Sequence, residues 1–162
     1  MMRSTDAVYL TRSRLTELEN ELRDLMTSER KKMADKIAEA RSHGDLSENA
    51  EYDAAKEAQG HLESKISTLE NILSRAKVVN KEDIPNGEVY ILTNVKVKDL
   101  SSKETIDFLL VSPEEADFEL DKISVASPVG KALLGKKKGD KVEVEAPIGK
   151  IKYEILSINK PA

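Results

Sequence analysis

Apolar side chains recur at helical spacing in two stretches of the first half of the chain. The first comprises Leu15, Leu18, Leu22, Leu25 or Met26, Met33, Ile37 and Ala40, with one slip in step near Leu25/Met26 and a Glu at position 29. The second comprises Tyr52, Ala55, Leu62, Ile66, Leu69, Leu73 and Ala76, with Gln59 in its one gap. Steps that alternate between three and four residues are the seam of a coiled coil. Thr11 suits a helix N-cap, and Leu10 with Leu15 then takes the two positions of a hydrophobic staple. Residues 1–9 carry no such pattern and are expected to fray. Neither Gly nor Pro interrupts the chain from Arg12 to Ser42, whereas Gly44 breaks the pattern before the second stretch. The spacing therefore predicts helices over about Arg12–Ser42 and Ser47–Arg75, folded back as an antiparallel hairpin. At ~1.5 Å per residue, the first arm is a rod of about 45 Å. That is far longer than a small domain needs for its own core.

The pattern changes after Arg75. Asn80-Lys-Glu-Asp-Ile-Pro-Asn-Gly87 is rich in turn formers and reads as a linker over 80–87. It separates a coiled-coil domain, 1–79, from a globular domain, 88–162. Beyond it come short β-branched or alternating runs at Val89–Leu92, Val95–Leu100, Ile106–Val111, Val142–Glu145 and Ile151–Ile158. Ser101-Ser102-Lys103 and Pro147-Ile148-Gly149 stand between pairs of runs as hairpin turns. Ser127 as cap, Pro128 at the first helical position and Gly135 as stop define a short helix. The fold class is α+β: a helical hairpin, then a mainly antiparallel β domain.

Composition narrows the function. The net charge is −4, with 35% charged and 4% aromatic residues and no Cys. A mildly acidic chain lacks the basic face that tight duplex binding requires. Without Cys there is neither a disulfide framework nor a thiolate zinc site, in keeping with a reducing cytoplasm. No apolar run approaches ~18 residues, so no membrane span is expected, and no leader is read at the start. His43 and His61 have no ligand-spaced partners, which argues against a histidine metal site.

Charge is concentrated at the turn of the hairpin. Between His43 and Glu57 stand Asp45, Glu48, Glu51, Asp53 and Glu57 against the single Lys56. Taken alone, Asp45 with Glu48 is an acidic cap followed by Glu at the third position, close to a capping box and favoured by the helix macrodipole. Two carboxylates three positions apart also lie on one side of a helical turn, where they can share a divalent cation. The two readings are compatible.

Ala40-Arg-Ser-His-Gly-Asp-Leu-Ser-Glu-Asn-Ala-Glu-Tyr-Asp-Ala-Ala55, with the acidic tip at 43–53, resembles the signature of the Gre family of transcript cleavage factors. Ile123-Ser-Val-Ala-Ser-Pro-Val-Gly-Lys-Ala-Leu-Leu-Gly135 extends the resemblance into the second domain. It covers about Leu10 to Ile158. The resemblance implies a β domain of the FKBP type that docks on bacterial RNA polymerase. It implies a coiled coil inserted through the secondary channel, and stimulation of the polymerase's own cleavage of backtracked RNA. The chain would be no enzyme itself. Asp45 and Glu48 match the two acids that act at the polymerase's Mg²⁺ site, one helping to hold metal and the other orienting or deprotonating water; spacing does not say which does which. Arg41, Tyr52 and Lys56 match positions near the nascent RNA 3′ end. Ser127 and Pro128 match the segment facing the polymerase rim.

No stable cofactor on the free protein, no small-molecule substrate and no membrane partner are implied. Few aromatic walls are available for an isomerase pocket, so prolyl isomerase activity is not expected. The even charge of the rod is similar to the branch that releases short fragments. The competing readings are a secondary-channel regulator that does not stimulate cleavage, and a coiled-coil adaptor whose tip carries no chemistry.

Overall fold

A computed structural model describes residues 6–44 and 49–161. The chain divides into two compact units. One is Ser13–Arg75; the other joins the segment ending at Arg12 to the chain from Ala76 onward.

The helical unit is an antiparallel hairpin. Its first arm is α1 (Arg12–Asp24), a wide π-helical turn (Leu25–Glu29) and α2 (Arg30–Arg41); the second is α3 (Ala50–Ser74). The uninterrupted first helix expected from the sequence is thus corrected to a helix with one wide turn. Around the turn the inward-facing positions run 18, 22, 25, 29, 33, 37 and 40. Three consecutive steps of four are one residue too many for a seam of alternating threes and fours. A π turn absorbs one extra residue per insertion, so the slip in the sequence pattern and the wide turn are the same event. Leu25 goes inward and Met26 outward. Thr27 bonds back to the Arg23 carbonyl at 2.8 Å within this turn.

On α3, Ala55, Ile66, Leu69 and Ile72 are buried. Ion pairs stitch the arms outside the seam: Arg30 forks onto Glu63 at 3.1 and 2.7 Å, and Lys65 meets Glu21 at 3.3 Å. The forked guanidinium holds the Glu63 carboxyl below its ordinary range.

The second unit is built on a five-stranded sheet. Its strands are β3 (Asn94–Asp99), β4 (Thr105–Val111), β5 (Lys122–Ser124), β6 (Lys141–Ala146) and β7 (Gly149–Asn159), in the order β5-β4-β3-β7-β6. All pairings are antiparallel except β4–β5. Alternation along β3 and β6 places Val95, Val97, Val142 and Val144 on the inner face, where they pack with Phe108, Leu110, Tyr153 and Ile155. Phe108 and Tyr153 meet edge to face at 6.0 Å. Leu133 of α4 (Pro128–Leu133) seals this core. Gly130 is required there, because a Cβ would stand 2.1 Å from the Ser124 carbonyl oxygen.

Three expectations are corrected. Val8–Leu10 is not a frayed end but β1, paired in parallel with β2 (Ala76–Val78). Val8 and Leu10 are buried, and the Tyr9 amide donates to Ser112 Oγ at 3.0 Å. Residues 80–87 are not a loose linker, since Ile84 is 2% exposed and packs with Leu92 and Val111. Val89–Leu92 is not a strand. Leu92 takes φ 71°, and its amide reaches the Leu110 carbonyl at 2.7 Å while Val89 bonds Lys136. Val89 and Leu92 are buried, which reproduces the composition of a strand without its ladder.

Candidate functional site

The two arms meet at Arg41–Gly44 and Asn49–Tyr52. Gly44 has φ 115°, a conformation that side chains with a Cβ rarely adopt, so the break in the pattern is a steric requirement of the turn. Asp45 and Glu48, the expected catalytic and metal-binding pair, lie outside the described residues, as does the expected helix start at Ser47.

What bounds them on either side is well defined. Asn49 is the N-cap of α3, with extended backbone and its Oδ1 accepting from the Tyr52 amide at 3.0 Å. Its Nδ2 donates across the turn to the carbonyl oxygen of Ala40, a residue 3% exposed at the end of the first arm. One side chain therefore ties the last turn of α2 to the first turn of α3. The cap uses only the oxygen, and the spare amide N–H₂ was the signal for a second bond. A further cross-turn contact joins His43 Nε2 to a Glu51 carboxylate oxygen at 3.4 Å.

The three residues expected near RNA fall on this end of the hairpin. Arg41 stacks its guanidinium over the Tyr52 ring at 5.8 Å from the centroid, so those two are brought together across the turn. Tyr52 is half-buried, as its seam position requires, while Arg41 stays exposed. Lys56 lies one turn further along α3 and is exposed, bonding Gln59 at 2.9 Å. Glu51 and Asp53, in the first turn of α3, complete an acidic surface beside these cations. Among the described residues no three His, Asp or Glu side chains converge as a metal site.

Ser127 and Pro128 belong to the other unit. Ser127 Oγ accepts from the Gly130 amide at 3.1 Å and donates to the Ser124 carbonyl at 2.6 Å, so its hydroxyl is engaged at the start of α4. Pro128 beside it is exposed. No helix among the described residues is long and apolar enough to cross a membrane.

Both parts of the chain match known families. Residues 8–78 match the description "Transcription elongation factor, N-terminal", and residues 84–160 match "Transcription elongation factor, GreA/GreB, C-term". The chain is 53% identical to transcription elongation factor GreA of Chloroherpeton thalassium, over 95% of this chain and 98% of the relative. It is 54% identical to the factor of the same name from Chlorobaculum tepidum, with the same coverage. Among solved structures, GreA factor homolog 1 of Thermus thermophilus aligns with a TM-score of 0.44 and 32% identity, over 94% of this chain and 99% of that one.

Proposed function

Because the chain belongs to the GreA/GreB family of transcription elongation factors, we propose that it lends two carboxylates to RNA polymerase for cleavage of backtracked RNA. The observation that carries this reading is the place of the signature. Its acids stand in sequence between Gly44 and Asn49, and the described residues on either side are joined by Asn49–Ala40, His43–Glu51 and Arg41–Tyr52. Flanks joined in this way offer a stiff support on either side of the acids.

Asp45 and Glu48 are hard oxygen donors of the kind Mg²⁺ accepts alongside several waters. A pair of them leaves most of a coordination shell to other ligands, so the ion would be shared with the polymerase rather than held by the free factor. When bound, such an ion activates water and stabilises the leaving oxygen in phosphodiester hydrolysis. This chain's part is to present one carboxylate as a ligand and the other as acceptor of the water proton. The Arg41 guanidinium, already seated on an aromatic ring, offers a delocalised cation suited to a phosphate. Lys56 adds a second positive charge on the facing arm. Both suit the 3′ segment of the RNA. Ser127–Pro128 begins the helix that we assign to docking on the polymerase.

The test is a stalled, backtracked elongation complex with labelled RNA. The wild-type factor shortens the RNA from its 3′ end. D45N and E48Q abolish this stimulation while still competing with wild type for the polymerase. Retained stimulation by both variants would refute the assignment. Polymerase binding and altered initiation without cleavage would replace it with the regulator reading.

A further inference from the structure

The sheet unit carries an aromatic knob that its own core does not use. Phe118 and Leu120 sit in one turn of 3₁₀ helix, 93% and 62% exposed. Nothing about this segment is loose. The Asp117 amide and carbonyl are both bonded to Lys122, at 2.9 and 3.0 Å, closing the turn at its base. Asp117 Oδ1 caps the Glu119 amide at 3.0 Å. Asp121 takes a left-handed φ of 54°, and its carbonyl accepts from the Leu109 amide at 3.0 Å, anchoring the turn to β4. An apolar side chain held outward by a turn this well bonded is presented, not stranded. Exposed apolar groups on a rigid polar rim mark interaction surfaces, and a large aromatic is the usual anchor of one.

The rim gives the partner's chemistry. Glu114, Glu115, Asp117, Glu119 and Asp121 surround the two apolar residues in sequence, with no cation until Lys122. A surface of this charge repels a second copy of itself. It fits a partner that offers Lys or Arg around an apolar recess. The knob also runs directly into β5, and β5 into the Ser127–Pro128 turn that opens α4.

We propose that Phe118 and Leu120 insert into an apolar recess rimmed by basic side chains on RNA polymerase, and that this contact anchors docking of the sheet unit. The inference rests on the polymerase-binding function proposed above. The anchor sets affinity, while the acids of the hairpin turn act on the reaction itself.

The test measures binding of the full-length factor to core RNA polymerase, together with cleavage as a function of factor concentration. F118S/L120S should weaken binding at least tenfold. It should raise the concentration for half-maximal cleavage by the same factor and leave the saturating rate unchanged. E119K should weaken binding less, and its deficit should shrink as salt rises. F118L should bind more tightly than F118S, because it keeps an apolar group in the recess. Melting curves of the serine variant should overlay those of wild type, because the side chains removed touch solvent. Wild-type binding with an unchanged F118S/L120S affinity would overturn the anchor alone. Absence of any binding by wild type would overturn the polymerase reading and the anchor with it. A wild-type dimer that F118S/L120S converts to monomer would reassign the knob to self-association and overturn the proposal.

Discussion

Asn49 bonds to both described flanks of the turn, and Asn49→Asp separates its two roles. Aspartate caps helices as well as asparagine does, so the bond from the Tyr52 amide survives. The carboxylate has no hydrogen to give, and the Ala40 carbonyl keeps only the His43 amide, at 3.3 Å. A hydrogen bond of this kind is worth about 1 kcal/mol net. Because the Ala40 carbonyl stays bonded to the His43 amide, the loss is that of one hydrogen bond and no more. Asn49→Ala removes the cap as well, adding about 1 kcal/mol. For a unit the size of the hairpin, each kcal/mol corresponds to roughly 4–8 °C in Tm. Urea melts followed by helical circular dichroism give the ranking: wild type, then N49D, then N49A. Hydrogen exchange localises it, with the Tyr52 and Asp53 amides losing protection in N49A more than in N49D. Cleavage stimulation should fall in the same order with polymerase affinity unchanged. If N49D melts and exchanges like wild type, the bond to Ala40 contributes nothing and the two arms are held by other means.

The wide turn and the forked ion pair give two further predictions. Deleting Thr27 should restore an unbroken α-helix with Leu18, Leu22, Met33, Ile37 and Ala40 still on the seam, so Tm holds or rises. Deleting Ala34 should turn Ile37 and Ala40 off the seam by about 100° and lower Tm; equal effects of the two deletions would refute the phase argument. For Glu63, whose carboxyl lies below its ordinary range beside Arg30, the sign is fixed by linkage. The pairing stabilises the fold above the unfolded carboxylate pKa and is lost as pH falls through the lowered folded value, with Arg30 charged throughout. The Tm difference between wild type and E63Q should therefore be constant near neutrality and shrink in acid; a difference that grows in acid would contradict the assignment.

Much of this was legible in the residues because periodicity reports burial. The seam of α3, the cap at Ser127 and the four longer strands of the sheet follow from patterns that one face of one element imposes. What was illegible depends on contacts distant in sequence. Val8–Leu10 is too short to show a period, and it is a strand only because Ala76–Val78 lies beside it. Val89–Leu92 has the composition of a strand, yet its amides bond to Leu110 and Lys136 without forming a ladder. At the turn, the acidic motif was plain in the sequence. Asn49's second bond was not, because it is made to a backbone atom nine positions away. Phe118 escaped notice for the opposite reason: an apolar residue among acids gives no sign of which way it faces.

The parallel pairing of Val8–Leu10 with Ala76–Val78 has a consequence for how the molecule is made. The sheet unit needs both a strand that precedes the hairpin and the stretch around Ser112, which accepts from the Tyr9 amide across 103 positions. The helical arms, whose contacts are local, can assemble while the chain is still growing; the strand that precedes them must wait. Severing the chain between Arg75 and Gly87 would not yield two self-sufficient pieces, because the N-terminal product would carry away β1, which belongs to the sheet unit. The hairpin is an insertion, leaving and re-entering through two adjacent strands, so a load applied at its far end is shared by two covalent roots.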